Sequence, residues 1–169
     1  MTAAALDWRH VLALVASLTL APLASHAASY KAGTLVIEGP YALPTPKTAT
    51  SAMVFVHLDN QGDQTVHLTG AKTPLAGIVE IQQLVRAGKS VKARKMLVLN
   101  VEARDRLDFT PDGDFRILLI GLQKRLEDGD RFPLTLEFDA LGKVDVMVEV
   151  QSNDRVDTGA RVGKRTNSY

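Results

Sequence analysis

Val144-Asp145-Val146-Met147-Val148-Glu149-Val150 carries a valine at every second position. A helix repeats its faces every 3.6 residues, whereas a strand turns successive side chains to opposite sides. This segment therefore reads as a strand with one face on a core. Just upstream, Leu134-Thr135-Leu136-Glu137-Phe138 shows the same alternation. Asp139-Ala140-Leu141-Gly142-Lys143 between them predicts a hairpin.

The same period extends back along the chain. Strands are expected at Thr34–Glu38, Ala52–Asp59, Gln64–Ala71, Ile78–Val85, Val91–Val98, Arg106–Phe109 and Phe115–Ile120. Asn60-Gln61-Gly62-Asp63, Ala87-Gly88-Lys89-Ser90, Pro111-Asp112-Gly113-Asp114 and Asp128-Gly129-Asp130 punctuate them with turn residues. Short strands at this spacing predict an all-β sandwich or barrel with Greek-key crossings. Gly39–Lys47, with Pro40, Pro44 and Pro46, is expected to be an irregular crossing, because proline cannot donate to a ladder.

The ends read differently. Arg9-His10, the apolar run from Val11 to Ala21, and Ser25-His26-Ala27 form a secretory signal over residues 1–27, with cleavage after Ala27. The competing reading is a membrane anchor. It would need about 20 apolar residues, and Pro22 closes the run before that length, so no stable membrane span is expected. Residues 28–150 form the domain. Residues 151–169 lack apolar periodicity and are expected to be a flexible polar tail. A periplasmic location follows from this reading.

Composition limits the chemistry. The 169 residues have a net charge of +1, which gives no electrostatic reason to expect nucleic acid. There is no cysteine, so neither a disulfide nor a thiolate is available. Beyond the signal only His57, His67, Met53, Met96 and Met147 could offer a soft donor. Met53 and His57 lie four residues apart, about 13 Å along a strand, and cannot chelate one ion. No nucleophile elbow, metal-hydrolase histidine pair or phosphate-cradling glycine loop is present, so an enzyme is not expected.

From Leu35 to Val150 the chain resembles the PCuAC family of periplasmic copper chaperones. The resemblance is carried by Pro44-Thr45-Pro46-Lys47-Thr48, Val54-Phe55-Val56-His57-Leu58-Asp59-Asn60-Gln61-Gly62-Asp63, His67-Leu68-Thr69-Gly70-Ala71 and Val79-Glu80-Ile81. It continues in Pro111-Asp112-Gly113, Leu119-Ile120-Gly121-Leu122, Leu126-Glu127-Asp128-Gly129-Asp130 and Pro133-Leu134-Thr135-Leu136-Glu137-Phe138. It implies a cupredoxin-like, immunoglobulin-like Greek-key β-sandwich. It also implies a role in carrying Cu(I) to the CuA centre of cytochrome c oxidase, and hence exported respiratory-oxidase assembly proteins as partners.

The family's ligand pattern is His-Met, ten residues, Met, twenty-one residues, His-x-Met. Laid on this chain without a gap, it falls on Gln82-Gln83, Arg94 and Arg116-Ile117-Leu118. The spacing survives and every ligand is replaced. Amide oxygens are hard donors, leucine offers none, and a guanidinium stays charged and only donates. The expectation is a divergent member that binds no cofactor tightly and acts as a binding or assembly module. Two other readings stay open. One is a Cu(I) carrier using a substitute donor such as Met96. The other is a small-anion or acidic-peptide contact through Arg94, Arg116 and Gln82.

Overall fold

The computed structural model describes residues 28–88 and 90–152. The expected signal (1–27) and most of the expected tail (153–169) lie outside the described residues. Eleven strands are present among those described: β1 (Ser29–Ala32), β2 (Leu35–Ala42), β3 (Ser51–Asn60), β4 (Val66–Lys72), β5 (Ala76–Ala87), β6 (Ser90–Met96), β7 (Leu99–Val101), β8 (Arg106–Phe109), β9 (Phe115–Leu122), β10 (Arg131–Phe138) and β11 (Gly142–Val150). The all-β class expected from alternation is the class observed.

The strands run in the order β6-β5-β9-β3-β2-β11-β10-β4-β7, with β1 on β2 and β8 on β3. Every pairing is antiparallel except β11 with β2. The order curls back on itself, so that β4 packs against β5 and β7 against β3. Between these layers lie Leu35, Ile37, Val54, Val56, Leu58, Leu68, Phe109, Ile117, Leu119, Leu134, Leu136, Val146 and Val148, all essentially inaccessible to solvent. The predicted hairpin closes with Phe138 opposite Gly142, which takes the positive φ (73°) that glycine tolerates.

Three boundaries differ from expectation. Strand β2 runs through Gly39 and Pro40 to Ala42, where an irregular crossing was expected. Its register on β3 shifts between Glu38 and Tyr41, so the proline sits in a bulge that needs no ladder donor from it. The expected strand Val91–Val98 breaks after Met96, and Leu99–Val101 forms a separate strand on β4. Ser29–Ala32 adds β1, which the alternation did not mark.

One buried polar side chain secures the loops at the far end of β3. Asn60 is fully buried. Its Nδ2 donates to the carbonyls of Gln64 (2.8 Å), Val101 (3.1 Å) and Glu102 (3.1 Å), and its Oδ1 accepts from the Gly62 amide (3.1 Å). It ties the turn after β3 to the exit of β7. Asn60→Ala strands these groups without water, and the expected loss is about 3 kcal/mol in urea unfolding. Asn60→Asp is expected to destabilise comparably, since it sets a carboxylate against three carbonyl oxygens. A loss below about 1 kcal/mol for both would show that the loops hold without this side chain.

Candidate functional site

Strand β9 lies between β5 and β3 and is paired on both edges. On β5, Gln82 stands opposite Arg116, Gln83 opposite Phe115, and Glu80 opposite Leu118. On β3, Met53 stands opposite Leu118. Strand β6 pairs the other edge of β5, with Gln82 opposite Lys95 and Gln83 opposite Arg94. Directly opposed residues share a face, and adjacent residues do not.

The five positions singled out in the sequence therefore split. Gln82, Arg116 and Leu118 share the outer face of the β6-β5-β9-β3 layer with Met53, Glu80 and Lys95. Gln83 and Arg94 lie on the opposite face, the one that carries Ile81 and Ile117 into the core. Arg94 and Arg116 flank β5 from its two edges and do not converge. The cause is the single step from Gln82 to Gln83, which crosses the sheet. Met96 stands opposite Ile81 and packs against the core, also away from Arg116.

On the outer face the side chains form a continuous chain of polar contacts. Arg116 Nε donates to Gln82 Oε1 (3.1 Å), and Gln82 Nε2 donates to Glu80 Oε2 (2.9 Å). Lys95 Nζ lies 3.3 Å from Glu80 Oε1. Gln82 is only 8% exposed, and both ends of its amide are satisfied. Arg116 Nη1 approaches Met53 Sδ at 3.8 Å. The hydrogen bond from Gln82, then that from Lys95, holds the Glu80 carboxyl below its ordinary range. Among the described residues Arg116 has no carboxylate partner, because Glu80 is engaged by Gln82 and Lys95, and Asp114 by Arg86.

Sequence reasoning missed Met53 as a neighbour of this cluster. Its parity already put it on one face of β3, but only the pairing of β3 with β9 sets it beside Leu118. The two histidines stand elsewhere. His57 Nδ1 lies 2.6 Å from Asp108 Oδ1, and Arg106 bridges Asp108 (2.8 Å) and Glu38 (3.0 Å). Partial burial opposes ionisation of Asp108, but the hydrogen bonds from Arg106 and His57 outweigh it and lower its pKa. His67 Nδ1 lies 2.9 Å from Asn100 Oδ1. Among the described residues no group of three or more histidine, aspartate or glutamate side chains is arranged to hold a metal ion.

The LpqE-like family, described as "Putative lipoprotein LpqE-like", matches residues 35–150. Among solved structures, the copper-bound PCuAC domain from PmoF2 matches with a TM-score of 0.62 at 20% identity, covering 74% of this chain and 98% of that one. Apo-DR1885 from Deinococcus radiodurans matches with a TM-score of 0.57 at 27% identity, covering 77% and 87%. The Cu(I) form of DR1885 matches with a TM-score of 0.58 at 24% identity, covering 75% and 83%. No curated protein matched.

The lowered Glu80 pKa sets a pH dependence. A carboxyl whose folded pKa lies below its unfolded value, about 4.3, stabilises the fold above that value and stops doing so as pH falls through the folded one. Wild-type protein is expected to lose stability on acidification from about pH 5 towards pH 3, and Glu80→Gln to lose less over the same range. Urea midpoints across that range read the effect. Parallel curves for the two proteins would mean that Glu80 gains nothing from Gln82 and Lys95.

Proposed function

The chain belongs to the LpqE-like family and carries a PCuAC-type copper-chaperone domain, and on that premise we propose that it is a divergent, non-enzymatic member that holds no Cu(I) at the family's ligand positions. It acts instead as an exported binding or assembly module in the periplasm. Its place by family resemblance is copper handling and assembly of the CuA centre of cytochrome c oxidase, with exported oxidase-assembly proteins as partners.

The observation that carries this reading is the hydrogen-bonded chain Arg116–Gln82–Glu80, continued by Lys95. A Cu(I) ion here would meet a hard amide oxygen already committed to Arg116 and an aliphatic Leu118. It would also meet a fixed cation. At ~5 Å and an effective dielectric of about 20, one guanidinium opposes a monovalent ion by roughly 3 kcal/mol. Met53 is the only thioether against this cluster among the described residues, and a single thioether does not hold copper selectively. The alternative of a carrier built on Met96 has less support, since that side chain packs towards the core on the other face.

A second reading, a small-anion or acidic-peptide contact, is favoured by one observation. Arg116 lacks a carboxylate partner among the described residues, and Gln82 stands beside it. Arg94 would contribute only from the opposite face.

Copper(I) titration against a competing chelator under reducing conditions tests the main reading. Wild-type protein is expected to leave the chelator loaded. The variant Gln82→His/Arg116→His/Leu118→Met sets soft donors on one face beside Met53 and is expected to withdraw one equivalent, at least tenfold more tightly, or ~1.4 kcal/mol. Stoichiometric tight binding by the wild type would sink the proposal.

A further inference from the structure

The end of β5 and the whole of β6 form a surface beyond the Arg116–Gln82–Glu80 chain. Beyond Gln83, whose partner on β9 is Phe115, β5 keeps only β6 as a strand neighbour. Strand β6 ends the order of the sheet, and none of its residues is buried. It carries Lys92, Arg94 and Lys95 within four residues and no acid. Lys95 is paired with Glu80, whereas Lys92 and Arg94 have no ion-pair partner among the described residues. Both lie on one face, opposite Val85 and Gln83.

Aliphatic side chains flank these cations. Val85, opposite Lys92 on the same face, is 41% exposed, and Leu97 and Val98 past the end of β6 are 75% and 48% exposed. Lysines on an edge strand ordinarily discourage pairing with another chain, but that purpose does not call for exposed valine and leucine at both ends of the run. Charge and apolar surface thus alternate along one exposed edge.

We propose that β6 and the segment Leu97–Val98 dock on an anionic membrane surface. Lys92 and Arg94 meet lipid phosphates, while Val85, Leu97 and Val98 enter the boundary between headgroups and acyl chains. A bilayer presents negative charge above apolar material, which suits cations interleaved with aliphatic groups. An acidic peptide added to the edge would satisfy the cations and leave Leu97 and Val98 in water.

The test is cosedimentation of the purified protein with phosphatidylcholine vesicles and with vesicles of equal parts phosphatidylcholine and phosphatidylglycerol. Binding is expected to be stronger on the anionic vesicles and to weaken with salt. Each cation near the surface contributes about fivefold in partitioning, so Lys92→Glu/Arg94→Glu is expected to lose at least tenfold. Leu97→Ser/Val98→Ser is expected to lose about fivefold or more on the same vesicles. The difference between the two vesicle types is the readout, because an apolar leader would bind both alike. Equal partitioning on the two vesicles, or a difference that the charge reversal leaves unchanged, overturns the proposal. So does binding to the anionic vesicles that loss of Leu97 and Val98 leaves unchanged, since the apolar half of the surface would then have no part in it.

Discussion

The register of β9 between its two neighbours is the constraint on which the site depends. Pairing with β5 sets Arg116 opposite Gln82, and pairing with β3 sets Leu118 opposite Met53. A slip of one residue on either edge would turn Arg116 into the core and carry Ile117 or Leu119 out of it. Burial of those two aliphatic side chains therefore fixes where the guanidinium stands. The site inherits its geometry from the hydrophobic pattern, and its chemistry follows from what that pattern leaves on the outer face.

That chemistry is self-satisfying. A buried amide costs free energy unless both its ends are hydrogen-bonded, and Gln82 has Arg116 at one end and Glu80 at the other. Glu80 is in turn balanced by Lys95. Such a chain is closed: replacing one member leaves the next without its partner. A metal ion would have to displace a bond already made and accept a neighbouring positive charge. The likeness to the copper-bound PCuAC domain from PmoF2 shows a common fold, and a fold does not by itself fix what its side chains bind.

Much of this architecture was legible in the sequence. Alternation located the β10–β11 hairpin and the core faces of β3 and β9 because burial enforces period two. It gave Arg106–Phe109 with the observed boundaries. It did not mark β1 or separate β7 from β6, nor did it show the passage of β2 through Gly39 and Pro40, which needs a bulge that only the partner strand reveals. At the site, spacing laid the family's ligand pattern on Gln82, Gln83, Arg94, Arg116 and Leu118, and strand pairing puts Gln82, Arg116 and Leu118 on one face and Gln83 and Arg94 on the other. It also suggested that Arg94 and Arg116 converge. That failed because β6 meets β5 with Arg94 opposite Gln83, so the two arginines are separated by the sheet itself. Met53 was unreadable as a neighbour for the same reason: strand pairing is a long-range fact that no local pattern encodes.

A crystal structure of the protein soaked anaerobically with Cu(I) tests the central claim most directly. The account predicts Arg116 Nε still hydrogen-bonded to Gln82 Oε1, and no anomalous copper signal between Arg116, Leu118 and Met53. A copper peak there, ligated by Met53 Sδ with the Arg116 side chain swung away from Gln82, would contradict it.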